Sequence, residues 1–408
     1  MKQKIINDPV HGFITIDDEL LLRVLAHPWV QRLRRIRQLA MTSLVYPGAV
    51  HTRFQHATGA MHLMQMALDT LSAKGVLVLQ GEQRAALAAI LLHDVGHGPY
   101  SHALEHLMVN VDHEVVSDLI MERLNEQMGG ELTQCIKVFA GECRPFLHQL
   151  ISSQLDTDRL DYLKRDSFFS GVVEGAVGAD RIIRMLDVTD DGQLGIEAKG
   201  IYTIEDFLVA RRLMYWQVYL HKTVVAAEEM LRMAVRRARM LVADGHDCAM
   251  SRALRFFLSN HVDEQALRSD EQALPLFCEL DDDDINVALK EWAHSSDKLL
   301  AFLSRGIVER QLFHIEMSRE PIPAEKVMEQ KEIAARNLGV TVDDADFLVR
   351  TGQVSSRTYN IGVDRINIIL KDRRVKDISE ASDMMRLETL GTADRRHYIC
   401  HPRWDEIL

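Results

Sequence analysis

The sequence predicts a mainly α-helical fold with a smaller α+β region at its C-terminal end. Three observations carry this. Helical patterning dominates the chain to about residue 305. Inside it, Ala85-Ala86-Leu87-Ala88-Ala89-Ile90-Leu91-Leu92 is apolar on every side and rich in helix formers, so it reads as a buried helix. After about Gln311 the character changes, with a Pro321-Ile322-Pro323 break followed by alternating, strand-like stretches. A chain of 408 residues is long enough for a large core, and the division drawn from this change is 1–310 and 311–408.

In chain order, Asn7-Asp8-Pro9-Val10-His11-Gly12 is turn-rich and leads into the strand-like Phe13-Ile14-Thr15-Ile16. A helix is expected from Asp17-Asp18, with Leu21, Leu22, Val24 and Leu25 apolar and Pro28 as its punctuation. Residues 30–39 are expected to form another helix. It would carry Arg32, Arg34, Arg35 and Arg37, either as a solvated face or as a regulatory, phosphate-facing surface. Tyr46-Pro47-Gly48 is a loop. A helix follows His56, with Ala60, Leu63, Met64, Ala67, Leu68 and Leu71 at helical spacing. The apolar run ends in His93-Asp94, and Gly96, Gly98 and Pro99 then stop the helix. Asp112 is placed to cap a helix at His113-Glu114. Further helices are expected over 155–169 and 204–240, the second long enough to require a break. Asp281-Asp282-Asp283-Asp284 reads as an acidic helix start rather than a metal site. Strands are expected at 347–349, 365–370 and 397–400.

Composition narrows the function classes. The net charge of −12 argues against an extended nucleic-acid surface. The five cysteines are odd in number and form no C-x-x-C, which indicates neither a disulfide framework nor a thiolate zinc site; a reducing, cytoplasmic setting fits. No apolar segment reaches membrane-spanning length, and the opening residues carry no signal-peptide core.

The chemistry begins where the buried helix delivers an imidazole and a carboxylate into the core. Burying both is costly unless each has a partner. A divalent metal would satisfy the pair, as would a hydrogen-bonded helix end. Upstream stands His51-Thr52-Arg53-Phe54-Gln55-His56. Downstream, Asp156-Thr157-Asp158-Arg159-Leu160-Asp161-Tyr162 is rich in carboxylates.

Taken together, these motifs resemble the HD superfamily of metal-dependent phosphohydrolases. Over roughly the first 240 residues N-D-P-V-H-G, Q-R-L-R-R-I-R-Q-L, Y-P-G-A-x-H-x-R-F-x-H, H-D-V-G-H-G-P-Y-S-H, D-H-E and D-x-D-R-L-D-Y follow in order. In this they resemble the deoxynucleoside triphosphate triphosphohydrolases, in the branch that contains the sterile-alpha-motif and HD-domain enzyme. The resemblance implies an HD-domain helical bundle. It implies one divalent metal ion per subunit (Fe, Mn, Mg, Ni or Zn) on His56, His93, Asp94 and Asp158. Arg53 would clamp phosphate, and His97, His102 and His113 would surround the scissile phosphate. His102 would serve the leaving oxygen, with Glu105 as its acid partner. Arg159 and Tyr162 would contact phosphate and sugar, and Gln38 and Asp166 the sugar 3′-hydroxyl. Arg211 and Tyr219 would lie on a helix that closes the pocket. The chain departs from the pattern at Tyr215, where a histidine is expected, and at Leu220, where a glutamine would meet the base. Ala40 and Met41 also stand in place of small glycines.

The expected activity is cleavage of a (deoxy)nucleoside triphosphate to nucleoside and inorganic triphosphate. The alternatives are an HD phosphatase or phosphodiesterase acting on nucleoside mono-, di- or cyclic phosphates, and a nucleotide-responsive binding protein with weak activity. The resemblance also implies a homodimer or homotetramer and an activating nucleotide.

Overall fold

The computed structural model describes residues 3–356, 359, 365–382 and 394–404. It opens on an antiparallel hairpin of Lys4–Asp8 against Gly12–Ile16. Asp8 closes the turn by accepting from the Val10 and His11 amides at 2.9 and 3.0 Å. Gly12 sits at φ +76°, a region that disfavours side chains. The turn and second strand are as expected; the strand before the turn is an addition. Asp18 then caps Glu19–Ala26, accepting from the Leu20 and Leu21 amides, and the helix ends before Pro28.

The helix expected over 30–39 does not form. Pro28–Gln31 makes one turn, Arg32–Arg35 tightens to 3-10, and Ile36 is extended. Arg32 is the cause: it is fully buried, and its guanidinium donates to the His97 carbonyl at 2.6 Å. Continuing the helix would carry Arg37 away from its bridge to Thr52 and from Asp282, which accepts its amide at 2.9 Å. The four arginines therefore share no face. Arg34 lies over the Phe54 ring, 3.6 Å from its centroid, and Arg35 pairs with Asp281.

Three helices make the centre. Arg53–Ala73 packs against Gln80–Leu92 on one side and Thr157–Ser170 on the other. Every residue of the apolar run at 85–92 is buried, as its composition requires. Gly59 permits the closest approach: a Cβ there would run into the Asp161 carboxylate and the Arg165 guanidinium of the neighbouring helix. The helix at His113–Gln127 starts where expected. The long segment breaks as expected, into Ile201–Met214, a π-helical turn at Tyr215–Tyr219, and Lys222–Ala243. The acidic run does open a helix, Asp282–Trp292, with Asp281 as its cap.

Two small sheets complete the fold. Asp394–His401 runs between His314–Ser318 and Arg350–Ser356, antiparallel to both. Leu186–Val188, Leu194–Glu197, Asn367–Ile369 and Val375–Asp377 form the other, with Leu194–Glu197 parallel to Asn367–Ile369. The strand expected at 347–349 starts instead at Arg350. Asp344–Phe347 is a 3-10 turn whose Phe347, with Leu348 after it, is buried as an anchor. The strand expected at 365–370 narrows to Asn367–Ile369, and 397–400 lies within Asp394–His401. Among the described residues no helix is long and apolar enough to cross a membrane.

Candidate active site

Three chain segments deliver the donors to one point. His56 occupies the first turn of Arg53–Ala73, whose entry is set by the Thr52 amide donating to Gln55 Oε1 at 2.9 Å. His93 follows the last residue of Gln80–Leu92, with Asp94 beside it. Asp158 lies in the first turn of Thr157–Ser170, which Asp156 caps by accepting from the Arg159 amide. His56 Nε2 stands 3.4 Å from His93 Nε2, 3.0 Å from Asp158 Oδ1 and 3.7 Å from Asp94 Oδ2. His93 Nε2 lies 3.4 Å from Asp94 Oδ1 and 3.6 Å from Asp158 Oδ1.

The other ring nitrogens are already committed. His56 Nδ1 donates to Asp161 at 2.8 Å, and His93 Nδ1 donates to the Ile90 carbonyl at 2.6 Å. Both Nε2 atoms thus face inward on rings whose outer N–H groups are held, the orientation that metal-ligating imidazoles require. The ligand atoms of His56, His93 and Asp94 lie close enough together to hold a divalent transition-metal ion, and Asp158 Oδ1 stands beside both imidazoles. Asp161 is itself gripped by Arg165 at 2.8 Å and His11 at 2.7 Å, and Arg165 pairs with Asp8 at 2.8 Å. The turn of the N-terminal hairpin is therefore tied through three ion pairs to the orientation of His56.

The charges agree with this arrangement. Burial acts to lower His56, but Asp158 and Asp161 outweigh it and push its pKa up to about 10. Burial would raise Asp94, yet Arg53, His93 and His97 hold it well below the usual carboxylate range. Four positive or proton-donating neighbours thus keep the carboxylates ionised in a dry setting.

A second cluster stands beside the first. Arg53, at the start of its helix, pairs with Asp94 and donates through Nε to Ser101 Oγ at 2.8 Å. Tyr100 and Ser101 both sit at left-handed φ, 54° and 49°, a strained turn that aims the Ser101 hydroxyl at Arg53. His97 stacks on His113 with ring centroids 3.8 Å apart and reaches Asp94 at 3.3 Å. Burial and then Arg53 lower its pKa well below the ordinary imidazole value, so His97 is neutral. Glu105 takes His102 Nδ1 on one oxygen and His113 Nδ1 on the other, both at 2.7 Å. Burial works to raise Glu105, but these two hydrogen bonds prevail and keep it ionised.

A cavity of about 440 Å³ opens on this rim, a size suited to a small-molecule ligand. Arg53, Asp94, His97, His102, His113 and Asp158 line one part of it. Gln38, Tyr162, Asp166 and Tyr219 also line it. There Asp166 accepts from the Tyr219 hydroxyl at 2.8 Å and meets His51 at 2.7 Å. Gln38 Oε1 is buried with no hydrogen-bond partner among the described residues. Two of the residues singled out in the sequence turn elsewhere: Arg159 pairs with Asp156, and Arg211 donates to Gln154 Oε1 at 2.9 Å. Neither is among the cavity's lining residues.

Sequence reasoning did not assign Asp161, Ser101 or Glu228. Asp161 stood inside the D-x-D-R-L-D-Y motif three residues from Asp158, a spacing that shares a helical face, and could have been found there. Ser101 and Glu228 gave no signal along the chain.

A mainly helical scaffold that presents two imidazoles and two carboxylates beside an Arg–His rim has the make-up of a metal-dependent phosphoester hydrolase. Residues 53–165 match the HD domain, and residues 177–254 match the HD associated region. A solved phosphohydrolase from Bacteroides thetaiotaomicron is 48% identical, superposes with a TM-score of 0.95, and is covered over 100% of its chain and 98% of this one. The chain belongs to the HD-domain phosphohydrolases and is a hydrolase. The uncharacterized protein YwfO of Bacillus subtilis is 28% identical over 98% of this chain and 93% of its own length. The deoxynucleoside triphosphate triphosphohydrolase SAMHD1 of Homo sapiens is 29% identical over 58% of this chain, and the match spans 44% of that protein.

Proposed function

We propose that the site hydrolyses (deoxy)nucleoside triphosphates to nucleoside and inorganic triphosphate, with His56, His93, Asp94 and Asp158 holding one divalent ion. The observation that carries this is the single cavity. It joins Asp94 and Asp158 of the donor set and the Arg53–His102–His113 rim to Gln38, Asp166 and Tyr219, polar groups of a kind that bind a sugar. The likeness to SAMHD1 supports the choice of substrate.

When bound, the ion supplies Lewis-acid polarisation of a phosphate oxygen and a water made more acidic. The chain's own residues do the rest. Arg53, held through Nε by Ser101 and through Nη1 by Asp94, offers its Nη2 to a phosphate oxygen. His97, neutral and stacked on His113, holds the rim's shape. Glu105 holds the ring of His102 through Nδ1, leaving Nε2 to donate a proton. As a water oxygen bonds to the α-phosphorus, the bond to O5′ breaks; His102 delivers its proton to O5′, and the proton that the water loses passes to solvent. Gln38 and Asp166 hold the sugar 3′-hydroxyl, the partner that Gln38 Oε1 otherwise lacks. Arg159 and Arg211 reach substrate only by leaving Asp156 and Gln154. The same reading carries a homo-oligomer and an activating nucleotide.

The test is a product assay. Metal-loaded protein and an Asp94→Ala control are incubated with each dNTP, NTP and dNMP singly and with a dNTP mixture. Nucleoside plus intact triphosphate, absent from the control, is expected. Orthophosphate released from monophosphates instead would assign the site to a phosphatase.

A further inference from the structure

One carboxyl group lining the cavity is not used by the reaction above. Glu228, in the second turn of Lys222–Ala243, lines it together with Leu39, Ala40 and Leu220. That helix packs on both the Ala40–Leu44 and Ser101–Ala103 turns, so the carboxyl is fixed to the cavity's walls from two sides. Its contact with the protein is thin. Glu228 Oε2 meets Arg232 Nη2 at 3.4 Å, and no described residue hydrogen-bonds Oε1. Arg232 is engaged elsewhere, donating through Nε to the Ala103 carbonyl at 3.0 Å and through Nη1 to Glu229. A half-buried carboxyl with unused acceptor capacity, facing a ligand cavity, calls for a donor from the ligand.

We propose that Glu228 reads the nucleobase and selects guanine. The inference rests on the proposed nucleotide substrate. Of the parts of a nucleoside triphosphate, the phosphates repel a carboxylate. The sugar hydroxyl has Gln38 and Asp166. The base remains. Guanine alone offers two adjacent N–H donors, N1–H and the 2-amino group, to the two oxygens of one carboxylate. Adenine and cytosine each place a ring acceptor beside their amino group, and thymine flanks its single N–H with two carbonyls; each of these sets a lone pair against Glu228. A site built to receive a hydrogen-bond donor rejects ligands that lack one more strongly than an apolar pocket rejects a wrong shape. Burial raises the Glu228 pKa, Arg232 counters it and Glu229 adds to it, leaving it at about 7. A two-donor base edge stabilises the charged form.

The experiment is equilibrium binding at pH 8, where the carboxyl is ionised. Chelator-treated, hydrolysis-incompetent wild type and Glu228→Gln are titrated calorimetrically with dGTP, dATP, dCTP and dTTP. Wild type is expected to bind dGTP about tenfold to hundredfold more tightly than the others. Glu228→Gln, with one acceptor and one donor, is expected to lose that margin and gain for dATP or dCTP; Glu228→Asp keeps a guanine preference. Equal wild-type affinities, no binding at all, or an unchanged profile in Glu228→Gln overturns the assignment. A parallel product assay on the metal-loaded protein separates the two readings. Base-selective binding without triphosphate release sinks the activity and leaves the base reader. Triphosphate release without base selectivity does the reverse.

Discussion

His56 and His93 come from different helices and face each other at 3.4 Å because each outer nitrogen is held, by Asp161 and by the Ile90 carbonyl. The roles proposed for the two clusters separate in one pair of variants. His56→Ala is expected to lose bound metal by elemental analysis with its far-ultraviolet circular dichroism unchanged. His102→Ala is expected to keep its metal and lose turnover. Metal retained by His56→Ala would mean that the ion sits elsewhere. Glu105→Gln is a finer probe: it takes away the ionised acceptor shared by His102 and His113. It should lower kcat by about 10²-fold with little change in KM or metal content. An unchanged kcat would remove the Glu105–His102 pair from the chemistry. At this scale the donors were legible because their side chains are rare in a buried setting and stand in quotable motifs. Ser101 and Glu228 were not, since only folding brings them to the cavity, whereas Asp161 could have been read from its spacing to Asp158. Arg159 and Arg211 show the converse, matching a motif while pointing at protein neighbours.

Between elements, the close packing of Arg53–Ala73 on Thr157–Ser170 sets the distance from His56 to Asp158. Gly59 is the contact point, and a methyl group there would press on the buried Asp161–Arg165 pair, falling 2.9 Å from Asp161 Cγ. Gly59→Ala is therefore expected to destabilise the fold by about 3 kcal/mol, by overpacking and by disturbing a buried ion pair, read by denaturant unfolding. A loss under about 0.5 kcal/mol would show that the helices can part without cost. Asp297 joins two elements as well. It caps Lys298–Val308, accepting from the Leu300 amide at 2.8 Å, and takes the Arg237 fork at 2.6 and 3.1 Å. Burial opposes its ionisation, but Arg237 and the cap amides lower its pKa. For an acid with a depressed folded pKa, the stabilisation is present above the unfolded value of about 3.9 and lost as pH falls through the folded one. Asp297→Ala should thus cost about 1–3 kcal/mol at neutral pH, and its unfolding curve should converge on wild type in acid. A gap that persists in acid would mean lost packing rather than lost charge. Helices with a long apolar face or a capping acid were readable along the chain. The misreading at 30–39 came from Arg32, whose burial under a distant carbonyl overrides local propensity. That at 347–349 came from apolar residues anchoring a turn rather than lining a strand.

Across the whole molecule, the change of character near residue 311 marks a change of local structure, while the contacts run across it. Asn367–Ile369 lies parallel to Leu194–Glu197, and the Asn367 side chain donates to the Leu194 carbonyl at 2.9 Å. Arg373 reaches back to Asp187 at 2.8 Å. The Tyr398 hydroxyl donates to Glu229 at 2.8 Å in a buried setting, and Phe313 meets Met230 on the same helix, Lys222–Ala243. That helix is also the wall that carries Glu228. Removing residues 311–408 would leave the Leu194–Glu197 edge unpaired and Glu229 buried or newly wetted without its tyrosine. A parallel strand pair is stable only when covered, and an uncovered edge invites association. The 1–310 fragment is expected to aggregate, or to melt at least about 10 °C below the full chain by calorimetry. A monomeric fragment melting within about 2 °C of the full chain would make the C-terminal part an independent unit. Tyr398→Phe resolves the contribution of one contact: it should lower stability by about 1–2 kcal/mol and leave the sheet in place. If it also weakens nucleotide binding, the terminal strand positions the pocket wall as well as stabilising the fold; if binding is untouched, the strand's contribution ends at stability.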